Sequence, residues 1–215
     1  MLRLYSYFRS TSSWRVRIAL NFKGLKYSIV PVHLTRDGGE QNRPEFQSVS
    51  PQGMVPVLEI EEGGTNHRLT QSMAILEYLE ESHPDPALLP KDLFQRARSR
   101  QLAEIVNSSI QPLQNLSVLN KVASDLGGER ESWARDFISR GLSAFERLAR
   151  ESAGRYAAGD QPTFADVFLV PQLFGARRFH VDLAAYPTCL AIEAACAKLE
   201  AFDAARPERQ PDAET

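Results

Sequence analysis

Apolar residues recur with two different periods along this chain, and the change of period divides it. "LRLYSY" (2–7) alternates as a short strand does, and "YSIVPVHL" (27–34) is β-branched and reads as a second strand. Between them, residues 12–23 carry a helical pattern that Gly24 stops. Strand, helix and strand in so short a stretch predict a βαβ unit, a parallel pair with a right-handed crossover. A polar loop, "RDGGEQNRPEF" (36–46), follows, with room for one helical turn. "VPVLEIEE" (55–62) and "HRLTQS" (67–72) flank "GGTN" and predict a hairpin. "QSMAILEYLEES" (71–82) is amphipathic, with Met73, Ile75, Leu76 and Leu79 on or near one face. Residues 1–82 therefore read β-α-β-α-β-β-α.

"HPDPALLP" (83–90) has three prolines and reads as a linker. Beyond it, over 91–215, the pattern is helical: 92–122 with Pro112 as a kink or break, 129–150, 163–179 and 187–202. Thr163 with Asp166 three residues on is a capping-box variant, which makes Asp166 structural. The tail "RPERQPDAET" is expected to be frayed or disordered. The fold class is a small α/β domain followed by an all-α one.

The chain has 215 residues and a net charge of −2, which argues against nucleic acid or an anionic membrane as the main partner. No apolar run approaches the roughly 18 residues that cross a bilayer. "MLRLYSYF" is too short and polar for a signal peptide, so the cytoplasm is the expected location. Cys189 and Cys196 lie too far apart along one helix for a structural disulfide, and no CxxC occurs. His33, His67, His83 and His180 show no ligand spacing, so no metal is expected.

The densest chemistry is at the start of the first helix. Ser10, Thr11, Ser12 and Ser13 precede Trp14, where one capping hydroxyl would suffice. On spacing alone these are caps and turn formers. Arg15 and Arg17 point about 200° apart on a helix and do not share one target. Arg15 reads equally as an anion-attracting group or as part of a solvated face, and Arg17 as a structural ion-pair residue.

These residues also carry a resemblance. "STSSWRVRIAL" (10–20) stands where the zeta class of cytosolic glutathione transferases, which includes maleylacetoacetate isomerases, has SSC-x-W-R-V-R-I-A-L. "QGMVPVLEI" (52–60), "LTQSMAILEYLEE" (69–81), "IQPLQNLSVL" (110–119), "FADVFLVPQ" (164–172) and "RRFHVDL" (177–183) match in order. Thus the chain resembles that class over nearly its whole length. The departure is Ser12 in place of the family's cysteine, with Thr11 in place of its second serine. Glutathione-dependent maleylpyruvate isomerases also lack the cysteine, so the choice between the two acids stays open.

The resemblance implies a thioredoxin-like glutathione-binding domain, a helical substrate domain and a homodimer. It implies glutathione as recycled cofactor in the cis–trans isomerisation of a cis-ene diketo dicarboxylate. It places the glutathione sulfur at the start of the first helix. Lowering a thiol pKa by about two units from ~8.5 needs about 2.7 kcal/mol. One charge-assisted hydrogen bond supplies ~1.5–3 kcal/mol and a helix end ~0.3–1 kcal/mol. Ser10 is thus the implied thiolate stabiliser, with Ser12 as second donor and Thr11 in support. Val55 before a cis Pro56 is implied to bond the cysteinyl backbone. Gln71 and Ser72 are implied to hold the γ-glutamyl carboxylate, where Ser72 can also be a plain N-cap, and Gln41 is a further contact. Gln111, Asn115, Leu116 and Ser117 match positions near the cleft, the first two toward glutathione and Ser117 toward substrate. Arg178 is implied to bind a substrate carboxylate, with Arg177 a surface charge; two carboxylates want two cations, and Arg15 is the expected partner of Arg178. Conjugation, dehalogenation of α-halo acids, or a glutathione-binding module without turnover remain alternatives. A thiol–disulfide oxidoreductase is disfavoured by the absence of cysteine before residue 189.

Overall fold

The computed structural model describes residues 1–214. It divides into two compact units: Met1–Ala87 joined by the segment that starts at Leu199, and Leu88–Lys198. The proline-rich 83–90 has no regular element, and the division falls inside it.

The first unit runs β1 (Leu2–Ser6), α1 (Thr11–Phe22), β2 (Tyr27–Pro31), α2 (Pro44–Gln47), β3 (Val57–Glu62), β4 (Thr65–Thr70) and α3 (Ser72–Ser82). The sheet order is β2-β1-β3-β4. β1 pairs parallel with β2 (Leu2 opposite Tyr27) and antiparallel with β3 (Leu2 opposite Ile60), the crossover arrangement expected from the sequence. The hairpin between β3 and β4 turns on Gly63 and Gly64, both at positive φ as a two-residue hairpin turn demands. α1 packs on α3, and Leu4, Val16, Ile18, Leu20, Leu58, Ile75, Leu76 and Leu79 are fully buried. Each such aliphatic side chain contributes about 1.5–3 kcal/mol of transfer free energy. Lys23, just past α1, secures the segment after α3. Its Nζ donates to Glu80 Oε2 (2.8 Å) and to the carbonyls of His83 (2.6 Å) and Pro86 (3.1 Å).

The second unit is helical: α4 (Leu93–Glu104), a π-helical stretch Ile105–Ile110, α5 (Leu116–Leu126), α6 (Arg130–Ser152), α7 (Phe164–Arg178) and α8 (Pro187–Cys196). Pro112 lies in the turn between the π stretch and α5, where the periodic run breaks. Thr163 and Asp166 form the expected capping box at α7. Asp166 Oδ2 accepts from Thr163 N (2.7 Å) and Oγ1 (2.9 Å), and Oδ1 accepts from Ala157 N (2.8 Å). Burial nonetheless pushes the carboxyl up to about 6, against those hydrogen bonds. Cys189 and Cys196 are free, and burial raises both thiols.

Two expectations are corrected at the far end of the chain. The helix expected over 187–202 stops at Cys196, and a separate α9 (Glu200–Ala204) starts after it. The residues from Leu199 onward belong to the first unit, so the helical domain does not run from 91 to the end. Nor is "RPERQPDAE" frayed. Phe202 is buried and α9 lies against α1. Pro207–Arg209 forms a 3-10 turn, and Glu214 bonds Arg36 (2.6 Å) and His33 Nε2 (3.1 Å). Hydrogen bonds to residues nearly 200 positions earlier order this segment, and local composition carries no sign of them.

Candidate active site

Ser10 is the N-cap of α1. Its backbone is extended (φ −69°, ψ 115°), its Oγ accepts from Ser13 N (3.1 Å) and its carbonyl accepts from Trp14 N (2.9 Å). A hydroxyl has one proton to donate as well as two lone pairs, so capping leaves the Ser10 O–H available to an anion. Thr11 and Ser12 are the first two helical residues and are half-buried. Among the described residues neither the hydroxyl nor the N–H of Ser12 meets an acceptor. Ser13 gives its N–H to the cap, and its own hydroxyl is buried without a partner. One cap is made, and donors remain at the electropositive helix end.

The start of α3 lies in the same unit. Gln71 precedes it at φ 68°, ψ 113°, in the region that disfavours any side chain, and its Nε2 donates to Gln52 Oε1 (2.6 Å). A non-glycine residue held there costs of order 1–3 kcal/mol and is typical of ligand-holding turns. Ser72 is buried, and its Oγ accepts from Arg15 Nη1 (3.2 Å). The Val55–Pro56 peptide is cis. Among the described residues the Val55 N–H and C=O make no hydrogen bond, which leaves an open backbone edge for an extended peptide. Gln41 donates to Leu34 O (3.1 Å), while its Oε1 is buried with no partner. The unit thus offers a hydroxyl at one helix start, a helix start with a strained lead-in, a free backbone edge and an orphaned amide oxygen.

In the second unit, Asn115 caps α5. Its Oδ1 accepts from Ser117 N (3.1 Å) and Oγ (3.0 Å), so these two predicted site residues serve each other. Gln111 sits on the same turn and accepts from Gln114 (3.3 Å). Gln114 in turn exchanges two amide bonds with buried Gln172 of α7 (2.9 and 3.1 Å). Arg178 ends α7 exposed, its guanidinium 5.9 Å from the centre of the Phe179 ring. Arg177 is held by Glu193 through both oxygens (2.6 and 2.5 Å) and is not a free surface charge.

Comparison with known proteins gives the family. Residues 9–82 match the glutathione S-transferase N-terminal domain, and residues 131–205 match its C-terminal domain. Mouse maleylacetoacetate isomerase is 49% identical over 97% of this chain and 94% of its own. The crystal structure of maleylacetoacetate isomerase from Anaeromyxobacter dehalogenans with glutathione in the active site is 55% identical. It superposes with a TM-score of 0.92 over 100% of this chain and 98% of that one. A second structure of that protein, 53% identical with a TM-score of 0.91 over the same shares, holds dicarboxyethyl glutathione and citrate in the active site. A bacterial maleylpyruvate isomerase of the zeta class is 43% identical, with a TM-score of 0.92 over 99% of this chain and 100% of its own. The chain belongs to the zeta class of the glutathione S-transferases.

In this transferase three sequence expectations need correction. Arg15 has no exposed surface, so it is not part of a solvated helix face. Its Nη1 donates to Ser72 Oγ, tying α1 to the start of α3. Ser72 is the first residue of α3 and not its N-cap, and Gln71 in the cap position makes no side-chain capping bond. Arg17 is structural as expected, but its hydrogen-bonding partners are the carbonyls of Ala205, Tyr7 and Phe8 and the Ser6 hydroxyl, with no carboxylate among them. Burial lowers its pKa to about 10, partly offset by Tyr27 and Asp212. Sequence reasoning missed Gln52, which holds the Gln71 side chain. No local signal marks it, because Gln71's conformation is visible only in the fold.

Proposed function

We propose that this transferase is a glutathione-dependent cis–trans isomerase of maleylacetoacetate or a similar cis-ene diketo acid. The observation that carries the reading is the start of α1, where Ser10 caps the helix through its oxygen and keeps its proton for an anion. Glutathione fits the residues present: Ser10 and Ser12 for the sulfur, the Val55 backbone for the cysteinyl unit, Gln71 and Ser72 at α3 for the γ-glutamyl carboxylate, and the orphaned Gln41 oxygen for an N–H. Bound there, glutathione supplies a thiolate that adds reversibly to the cis double bond and so permits its rotation.

Ser10 donates to the thiolate and favours the ionised form. The N–H groups at the helix start add their partial positive charge. Thr11 supports the turn into the helix. Arg178 offers an exposed cation for a substrate carboxylate, as a planar guanidinium can by two parallel hydrogen bonds. Gln111, Asn115 and Ser117 form the polar turn assigned to ligand contacts in the helical unit. A homodimer in the cytoplasm, within aromatic amino-acid catabolism, completes the reading. It is supported by the family to which the chain belongs. Sedimentation at low protein concentration tests the dimer.

Maleylpyruvate is the second substrate reading, favoured by Ser12 at the cysteine position and by the zeta-class maleylpyruvate isomerase match. Turnover of both acids, with and without glutathione and with free thiol followed, separates the cases. Trans product with an unchanged thiol pool is expected. Thiol consumed into a stable adduct would instead make the protein a conjugating transferase.

A further inference from the structure

The turn that leads to Ser10 is gripped from both sides by charged groups. Ser10 N donates to Tyr7 O (2.9 Å), closing a tight turn over Tyr7–Ser10. From below, Arg17 donates to Phe8 O (3.0 Å) and Tyr7 O (3.5 Å), and it also reaches Ala205 O (3.0 Å) in the returning segment. From that same segment Asp212 Oδ2 accepts the Phe8 N–H (2.9 Å), across 204 positions of sequence. Both polar groups of the Phe8 peptide are therefore held by ionic side chains, two residues before the cap. The other oxygen of Asp212 is buried with no partner. Stability alone would disfavour a half-satisfied carboxylate here.

We propose that Asp212 is a positioning residue for the thiol-binding turn: by fixing the Phe8 backbone it sets the Ser10 hydroxyl where it can donate a hydrogen bond to a thiolate. This rests on the reading of Ser10 given above. The geometry supports it in three ways. The contact is to backbone, so it constrains the turn's conformation and not a side chain. The bond is charge-assisted, and such bonds are about twice as strong as neutral ones. The segment that supplies Asp212 is itself anchored, by Arg17 to Ala205 and by Gln210 Nε2 to the carbonyls of Ala204 (3.0 Å) and Arg206 (2.8 Å).

The test compares the full chain with Asp212→Ala and Asp212→Asn. Ionisation of bound glutathione is read from the ultraviolet absorbance of its thiolate against pH, and S-methylglutathione binding is read by calorimetry. Asp212→Ala is expected to raise the apparent thiol pKa by about half a unit to one unit and to lower kcat/KM about tenfold, the loss of one charge-assisted bond. Binding of S-methylglutathione, which has no thiol to ionise, should change by less than about twofold. Asp212→Asn keeps an acceptor for the Phe8 N–H and should restore most of the wild-type ionisation; it decides the matter should the alanine variant not fold. An Asp212→Ala protein that ionises glutathione like the wild type would overturn the proposal. So would an asparagine variant that folds but fails to rescue. A wild-type protein that leaves the bound thiol at its solution pKa would remove the Ser10 reading itself, and the proposal with it.

Discussion

Two arginine pairs sit on two helices of this transferase, and they have opposite fates. Arg15 and Arg17 on α1 are wholly buried and spend their donors on the protein's own hydroxyls and carbonyls. Arg177 and Arg178 at the end of α7 are exposed; one is locked to Glu193, while the other lies over Phe179 with no carboxylate beside it among the described residues. In the sequence the four look alike, and Arg15 with Arg178 seems a natural clamp for a dicarboxylate. Position in the fold separates them. Arg15 and Arg17 sit in the buried stretch of α1, so a cation there must find partners inside, whereas α7, though buried over most of its length, brings its last two residues to the surface and leaves those cations to solvent and exposed partners.

That contrast can be broken by measurement. Replacing Arg17 by Met strands several buried acceptors and should cost about 3–5 kcal/mol in urea unfolding; a loss under about 1 kcal/mol, the size expected for exposed Arg177→Ala, would erase the distinction. Asp166 extends the comparison to a buried anion. Its folded pKa of about 6 lies above the usual 3.8, so the native state holds the proton more tightly than the unfolded chain. Its contribution to stability is full below about pH 4 and is lost as pH rises toward 6. Relative to Asp166→Asn, wild-type stability should therefore fall by about 3 kcal/mol across that window and stay level above it. A flat difference would mean that the carboxyl ionises normally.

Next in size is Ser10→Ala. It removes the cap and should cost about 1 kcal/mol of stability while raising the apparent pKa of bound glutathione; Ser12→Ala should leave stability within about 0.5 kcal/mol. Equal stability losses in the two would deny Ser10 its capping role. The smallest effect belongs to Arg178→Ala, within about 0.5 kcal/mol in unfolding. Its signature should be a raised KM for the acid with binding of S-methylglutathione unchanged, and an unchanged KM would remove Arg178 from the substrate site.

What the sequence discloses follows the range of the interactions. The βαβ opening, the Gly63–Gly64 hairpin, the Ser10 cap and the Thr163–Asp166 box are made between near neighbours, and their residue types announce them. Capping propensity favours Ser72 at the cap, while tertiary structure forces Gln71 into that place with a positive φ. The break after Cys196 and the docking of the following segment were invisible for another reason. "RPERQPDAE" is polar and proline-rich, as disordered tails are, and Asp212 finds its partner in a backbone amide that no sequence pattern encodes. The residues matched to glutathione were legible by family resemblance. The backbone edge at Val55 and the orphaned oxygen of Gln41 are properties of the fold alone.

The composition of the first unit has a consequence for how the protein comes into being. A nascent chain releases β1, the Tyr7–Ser10 turn, α1 and α3 early, but α9 and Asp212, which complete their packing, come after the whole of Leu88–Lys198. The helical unit is one continuous stretch and can fold as it emerges, as domains generally do. The first unit must wait with the α9-facing side of α1 uncovered and the Phe8 amide unclaimed until synthesis passes Asp212. A product that stops before Asp212 leaves the Phe8 amide without its carboxylate partner, although every residue of Leu88–Lys198 has been made.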